Sequence, residues 1–172
     1  YHTRERILSF FGRVNYDFKD TYLLALTARQ DGYSKLLGDN RYGFFPGISG
    51  GWVISKEEFF KPLQDVLSFA KLRASYGLNG NVSGLSAYGV QGSYSSALYN
   101  NQVGYNIGGI ATPNLRWERS KTFEAGTDLG FLQNRLNAAF SFYNRLTEDK
   151  FANIPLPSSS GISSILSNNG EM

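Results

Sequence analysis

Alternation at period two, sustained over runs of about ten residues and repeated along the chain, is the feature that most restricts the fold. From Leu8 to Phe18 the even positions are Leu8, Phe10, Gly12, Val14, Tyr16 and Phe18, and the odd ones Ser9, Phe11, Arg13, Asn15 and Asp17. Successive side chains of a strand point to opposite faces, so this spacing makes one face apolar and the other largely polar. A tight reversal at Asp17-Phe18-Lys19-Asp20 leads into Tyr22, Leu24, Leu26 and Ala28, which alternate with Leu23, Ala25, Thr27 and Arg29. The two runs read as a hairpin. After a loop containing Asp31-Gly32 and Gly38-Asp39-Asn40, a third strand puts Tyr42, Phe44, Pro46, Ile48, Trp52 and Ile54 on one side. Its other side is small, with Gly43, Gly47, Ser49 and Gly51.

Three further strands follow the same rule. Leu72, Ala74, Tyr76 and Leu78 alternate with Lys71, Arg73, Ser75 and Asn79. From Arg116 to Phe131, Trp117, Phe123, Ala125, Thr127, Leu129 and Phe131 oppose Glu118, Thr122, Glu124, Gly126 and Asp128. Past Gln133-Asn134, Leu136, Ala138, Phe140, Phe142 and Leu146 oppose Asn137, Ser141, Tyr143 and Arg145. Between the third and fourth strands, Ser55-Lys56-Glu57-Glu58 has the form of a capping box, and Phe59, Phe60, Leu63, Val66 and Leu67 follow at roughly helical spacing. A short helix broken near Pro62 is expected there. Residues 79–113 and 147–172, rich in Gly, Ser, Asn or Pro, read as long polar loops.

The connections after the first, third and fifth strands are tight or helical, and those after the second, fourth and sixth are longer and polar. An up-and-down meander places alternate connections at opposite ends, and transmembrane barrels have short turns at one end and long loops at the other. Ten residues rising ~3.3 Å each and tilted by ~40° span about 25 Å, the height of the apolar band of such a barrel. Tyr16, Phe18 and Tyr22 cluster at the first short turn, where an interfacial aromatic girdle belongs. Two features must sit away from the middle of the band. Pro46 lacks a ladder donor, so it marks a bulge or a strand's outer end. Arg119 and Lys121, on the apolar side, belong at the outer rim.

Composition supports a folded β protein. Thirteen Phe, eleven Tyr and two Trp make the chain 15% aromatic, with 19 Gly and 18% charged residues. The absence of Cys and the lone His2 remove zinc and thiol chemistry. A net charge of +3 is too small to argue for nucleic acid. The longest apolar stretch, Tyr22 to Leu26, falls far short of the ~20 residues of a membrane helix, which leaves transmembrane strands open.

Phe10-Phe11-Gly12-Arg13-Val14-Asn15-Tyr16, Asp31-Gly32-Tyr33-Ser34-Lys35 and Asn40-Arg41-Tyr42-Gly43-Phe44-Phe45-Pro46 resemble the second half of the barrel in SusC/RagA-type TonB-dependent transporters. So do Leu72-Arg73-Ala74-Ser75-Tyr76-Gly77, Pro113-Asn114-Leu115-Arg116-Trp117-Glu118 and Ile154-Pro155-Leu156-Pro157-Ser158-Ser159-Ser160-Gly161. The six matches keep their family order and cover nearly the whole chain. The resemblance implies a 22-stranded barrel in the outer membrane of a Bacteroidetes-like Gram-negative bacterium, occluded by an N-terminal plug and importing oligosaccharides or peptides. It implies a SusD-like surface lipoprotein as lid and the TonB complex as energy source. Neither plug nor TonB box appears in this sequence, and six strands cannot close a barrel, the smallest having about eight. Residues 1–172 are therefore expected to form one partial domain, an all-β, antiparallel, up-and-down segment of transmembrane barrel wall.

On this reading Arg13, Arg29, Arg73, Glu118, Glu124 and Asp128 line a wet lumen, where the carboxylates pair with Arg13, Arg29, Arg73 or Arg145 of neighbouring strands. As a glycosidase pair the carboxylates fail, since separations of four to six residues along a strand put them roughly 13 to 20 Å apart. No catalysis is expected. Tyr88, Tyr94, Tyr99 and Tyr105 in the long loop are candidates for contact with a ligand or the lid, since Tyr offers a rigid apolar face and a polar tip. Asp31, Asp39 and Asn40 do not have the spacing of a calcium loop, and Gly77 to Gly80 leads into no helix that would receive a phosphate. No metal or cofactor is expected. Alternation alone does not tell lipid from protein as the apolar partner, so a soluble β-sandwich carbohydrate-binding module is the rival reading.

Overall fold

The computed structural model describes residues 4–86 and 88–172, with the backbone alone at Tyr99 and Ser158. Six strands, β1 (Ile7–Phe18), β2 (Tyr22–Tyr33), β3 (Tyr42–Val53), β4 (Leu67–Asn81), β7 (Glu118–Phe131) and β8 (Leu136–Glu148), form one antiparallel sheet in the order β1-β2-β3-β4-β7-β8. Two hairpins stand apart from it, β5 (Gln91–Tyr99) with β6 (Gln102–Ala111), and β9 (Lys150–Pro155) with β10 (Ser164–Gly170).

Register carries the alternation across all six strands. One row runs Phe18, Tyr22, Trp52, Leu72, Thr127, Phe140, and the next runs Tyr16, Leu24, Gly50, Ala74, Ala125, Phe142. A third runs Val14, Leu26, Ile48, Tyr76, Phe123. These rows make one apolar face, and it is bare: Phe10 is 65% exposed, Val14 64% and Phe140 64%. A sandwich would lay a second sheet over such a face, and among the described residues none covers it. Lys121 pairs with Glu148 at 2.6 Å at the end of that face beyond Phe123, the rim position expected for a charge there. Pro46 marks neither a bulge nor a strand end: it lies within β3 opposite Ala28 of β2, and it is accommodated because the β3–β4 ladder stops one residue away, at Gly47 opposite Gly77, and asks it for no donor.

The β1–β2, β3–β4 and β7–β8 connections, two of them tight turns, lie together at the short-connection end. Between β1 and β2, Lys19 and Asp20 adopt positive φ, Thr21 donates its N–H to the Phe18 carbonyl, and the Asp17 carboxylate accepts from the Asp20 N–H at 2.7 Å. The β3–β4 connection carries two 3-10 turns, Ile54–Lys56 and Glu58–Leu63, where the sequence predicts a capped α-helix. Ser55 is buried and caps nothing. Pro62 inside the second turn has no N–H for an α-helical bond, so the segment closes with shorter i to i+3 bonds, Phe60 to Glu57 and Gln64 to Lys61.

At the opposite end the two segments read as polar loops contain strands. Within 79–113, β4 continues to Asn81 and β5 and β6 form a hairpin around Asn100-Asn101, both at positive φ. Within 147–172, β9 pairs with β10. The buried core also lies at this end, on the side of the charged face: Tyr33, Leu36, Phe45, Leu85, Val90, Leu115 and Trp117. The alternation predicts Trp117 on the apolar side of its strand, and the structure places it on the other. It precedes the first residue of β7, before the pleat is established, and turns inward to meet Phe45 edge-on at 5.4 Å and Tyr33 at 6.1 Å, donating its indole N–H to the Arg41 carbonyl at 3.0 Å.

Candidate functional site

The face opposite the apolar rows is built from the other parity of the same strands. Its floor over β2, β3 and β4 is small at Ala25, Ser49, Gly51 and Ser75, where a groove of about 480 Å³ is flanked by Arg13 on one side and by Lys71, Arg73 and Glu124 on the other; Thr27, Gly47 and Gly77 continue the same face. A Cβ at Gly47 would stand 2.7 Å from the Thr27 hydroxyl, so a larger residue there would push that side chain aside. Arg73 joins three groups of the neighbouring strands: it pairs with Glu124, lies 3.6 Å from an Asp128 carboxylate oxygen and donates to the Ser141 hydroxyl. The register that sets Arg73 opposite Gly126 leaves room for this, because a side chain at Gly126 would strike the guanidinium.

The other charged positions find partners on their own strands. Arg29 clamps Asp31 with two bonds of 2.6 and 2.8 Å and buries it to 1% exposure, while Arg13 donates to the Asn15 amide oxygen at 3.1 Å. Cross-strand pairing among the six candidates is thus confined to Arg73, Glu124 and Asp128. Glu118 stands apart from them. It is 8% exposed, accepts from the Asn81 amide at 2.6 Å and the Phe151 backbone N–H at 2.7 Å, and fastens β9 to the end of β7. A sequence pattern places Glu118 on a face but does not reveal that β9 covers it.

The long-connection end is held by side chains that sequence reasoning did not single out. Tyr33 donates its hydroxyl to Glu5 at 2.6 Å, and Lys35 pairs with the same carboxylate at 3.0 Å and donates to the Leu85 carbonyl at 3.0 Å. The Tyr33 hydroxyl, followed by Lys35, holds the Glu5 carboxyl below the usual carboxylate range. These bonds tie the segment before β1 and the β2–β3 and β4–β5 connections to one core.

From this platform the β5–β6 hairpin projects. Tyr94 opposes Ile107, Ser96 opposes Tyr105 and Leu98 opposes Val103, which gathers the apolar residues onto one face. Tyr94 is 79% exposed, Tyr105 77% and Leu98 75%. Tyr88, in the segment that leads into β5, is exposed too. The side chain of Tyr99 lies outside the described residues. Between Arg73 and Arg116 the sequence holds no charged residue at all, so the hairpin presents apolar and hydrogen-bonding groups only.

A two-faced antiparallel meander that carries its core and both outlying hairpins at one end is a stretch of up-and-down barrel wall. The comparisons with known proteins agree: the family model described as "TonB dependent receptor-like, beta-barrel" matches residues 1–172, and the chain belongs to that family. It is 39% identical to TonB-dependent receptor P3 of Formosa agariphila over its whole length, covering 17% of that protein. It is 35% identical to TonB-dependent receptor SusC of Bacteroides thetaiotaomicron, over 91% of this chain and 16% of that one. Among solved structures it is similar to one of the RagAB peptide transporter, with a TM-score of 0.85 and 32% identity over 96% of this chain and 18% of the other. The chain thus spans less than a fifth of the length of the relatives it matches.

Proposed function

We propose that residues 1–172 are a stretch of barrel wall in an outer-membrane importer of oligosaccharides or peptides, its apolar face toward lipid and its charged face toward the lumen. A SusD-like surface lipoprotein closes over the long-connection end, and the TonB complex supplies the energy through parts of the protein outside this chain. The observation that carries this reading is the pairing of one bare apolar face across six strands with an exposed, uncharged apolar hairpin at a single end. A bare face of this extent has no place in water. Likeness to SusC and to the RagAB peptide transporter supports both the importer class and the lid.

The hairpin is the recognition element. Isolated two-stranded hairpins are marginal in water, and Tyr94, Leu98, Val103, Tyr105 and Ile107 offer a ready-made surface to a partner or ligand. The segment does no bond chemistry: Glu124 and Asp128 share Arg73, and Glu118 is buried under β9.

Replacing residues 92–110 by a short Gly-Ser link in the full-length protein tests the reading. The barrel should remain in the outer-membrane fraction while substrate uptake or co-purification of the lipoprotein falls. Because the hairpin is uncharged, wild-type association should change little between low and high salt. Unchanged uptake and unchanged lipoprotein binding after the exchange would leave the hairpin without the role given to it here.

A further inference from the structure

The short-connection end carries a cluster that neither the lumen nor the hairpin explains. Tyr22 and Trp52 face each other across the β2–β3 ladder on the apolar face, stacked at 6.3 Å, and Phe59 of the β3–β4 connection meets Trp52 edge-on at 6.4 Å. Glu57 reaches up from that connection, and one of its oxygens accepts from the Tyr22 hydroxyl at 2.7 Å and from the Trp52 indole N–H at 3.1 Å. No donor among the described residues reaches the second oxygen. A carboxylate is an unusual neighbour for the margin of a lipid-facing surface, yet this one is held ionised: the Tyr22 hydroxyl, then the Trp52 indole, keep it below the usual carboxylate range. Phe59 is 62% exposed and Tyr22 49%, so the rings around the carboxylate are open to the outside. Cations sit close by. Lys19 lies 5.3 Å above the Phe18 ring, and Lys56 makes only an exposed pair with Asp20 at 3.2 Å.

We propose that the Glu57 carboxylate, with the rings of Tyr22, Trp52 and Phe59, seats the primary ammonium of an ethanolamine phospholipid, whose phosphate lies toward Lys19 or Lys56. The chemistry matches part by part. An ammonium against aromatic faces gains a cation–π attraction, strengthened where water is partly excluded, and the carboxylate adds a charge-assisted hydrogen bond. The basic side chains suit the phosphate, and the apolar rows beginning at Leu24 and Leu72 suit the acyl chains. An anionic glycerol headgroup, which has no ammonium, would meet the Glu57 charge directly and be repelled. The proposal rests on the membrane placement given above.

The test uses the full-length protein in nanodiscs of equimolar phosphatidylethanolamine and phosphatidylglycerol, with the lipids retained after release counted by native mass spectrometry. Wild type should retain the ethanolamine lipid preferentially. Glu57→Gln keeps an acceptor for Tyr22 and Trp52 but loses the charge, so retention of that lipid should fall about tenfold, and Phe59→Leu should lower it to a smaller extent. Equal retention by wild type and Glu57→Gln overturns the proposal. So does a wild type that retains the glycerol lipid as well as or better than the ethanolamine one, which decides the matter even if a variant fails to fold. Protein that never enters the nanodisc would instead refute the membrane placement, so the two failures are distinct.

Discussion

The ring of Phe45 lies across two strands of bare backbone, and that arrangement can be tested by adding a single methyl group. A Cβ placed on Gly80 of β4 would overlap the Phe45 ring, with Cε2 at 2.7 Å, and one placed on Gly43 would meet Cε2 of the same ring at 2.8 Å and Trp117 Cγ at 3.2 Å. The ring is 7% exposed and is wedged edge-on against Trp117, so it escapes only by leaving the core. Gly80→Ala should therefore destabilise the long-connection end by ~1 to 3 kcal/mol, the usual cost of overpacking. Phe45→Ala alone should cost ~3 to 5 kcal/mol. With the ring gone the methyl has room, so the double variant should cost about what Phe45→Ala costs by itself. Hydrogen exchange in the full-length protein, followed by mass spectrometry on peptides covering 33–45, 82–90 and 113–118, reads this locally. Gly80→Ala should accelerate those amides roughly 5- to 150-fold while leaving the β1–β2 ladder unchanged. Strictly additive effects in the double variant would refute the reasoning, since they would mean that the glycine makes no room for the ring.

Glu118→Ala should leave the Asn81 amide and the Phe151 N–H without their acceptor and cost ~1 to 3 kcal/mol, seen as faster exchange across 150–155; Glu118→Gln should lose less. Arg73→Met should lower the urea midpoint only slightly, since its ion pairs are partly exposed and worth about 1 kcal/mol or less, and adding Glu124→Gln should recover part of the loss. Glu57 has a depressed folded pKa, so its contribution is present above the ordinary carboxylate range and fades as pH falls through the folded value. A pH titration of Trp52 emission should show this transition below that range, and Tyr22→Phe should move it upward.

The six-strand wall was legible because side-chain parity survives any detail of packing: Phe10, Leu26, Trp52 and Phe142 had to share a face once the strands paired in order. The hairpin of β5 and β6 carries the same parity in Tyr94, Ser96 and Leu98, but its turn is Asn100-Asn101 and its strands are dense in Gly and Ser, which also suit an irregular loop. The capping box at Ser55 failed because Pro62 and a short span between two fixed strand ends favour 3-10 turns. Of the candidate residues, Arg73, Glu124 and Asp128 were legible as a group by their parity. The burial of Glu118 and Trp117 depends on segments distant in sequence, β9 in one case and β2 with β3 in the other, and no local pattern reports on that.

Asn81 and Glu118 are register partners, and so are Gln91 and Ala111. The excursion from the wall therefore leaves and returns through two gates, each about one strand spacing wide (~4.8 Å). Between the gates lie Leu85, Val90, Leu115 and Trp117, which belong to the core and are tied to the wall. Beyond the inner gate, among the described residues, β5 and β6 pair with each other and with no strand of the six-stranded sheet. Residues 92–110 are thus an exchangeable cartridge: another sequence of different length and chemistry can be fitted there at little cost to the register beneath. On the function proposed above, a protein built this way can change what it recognises while keeping the same wall.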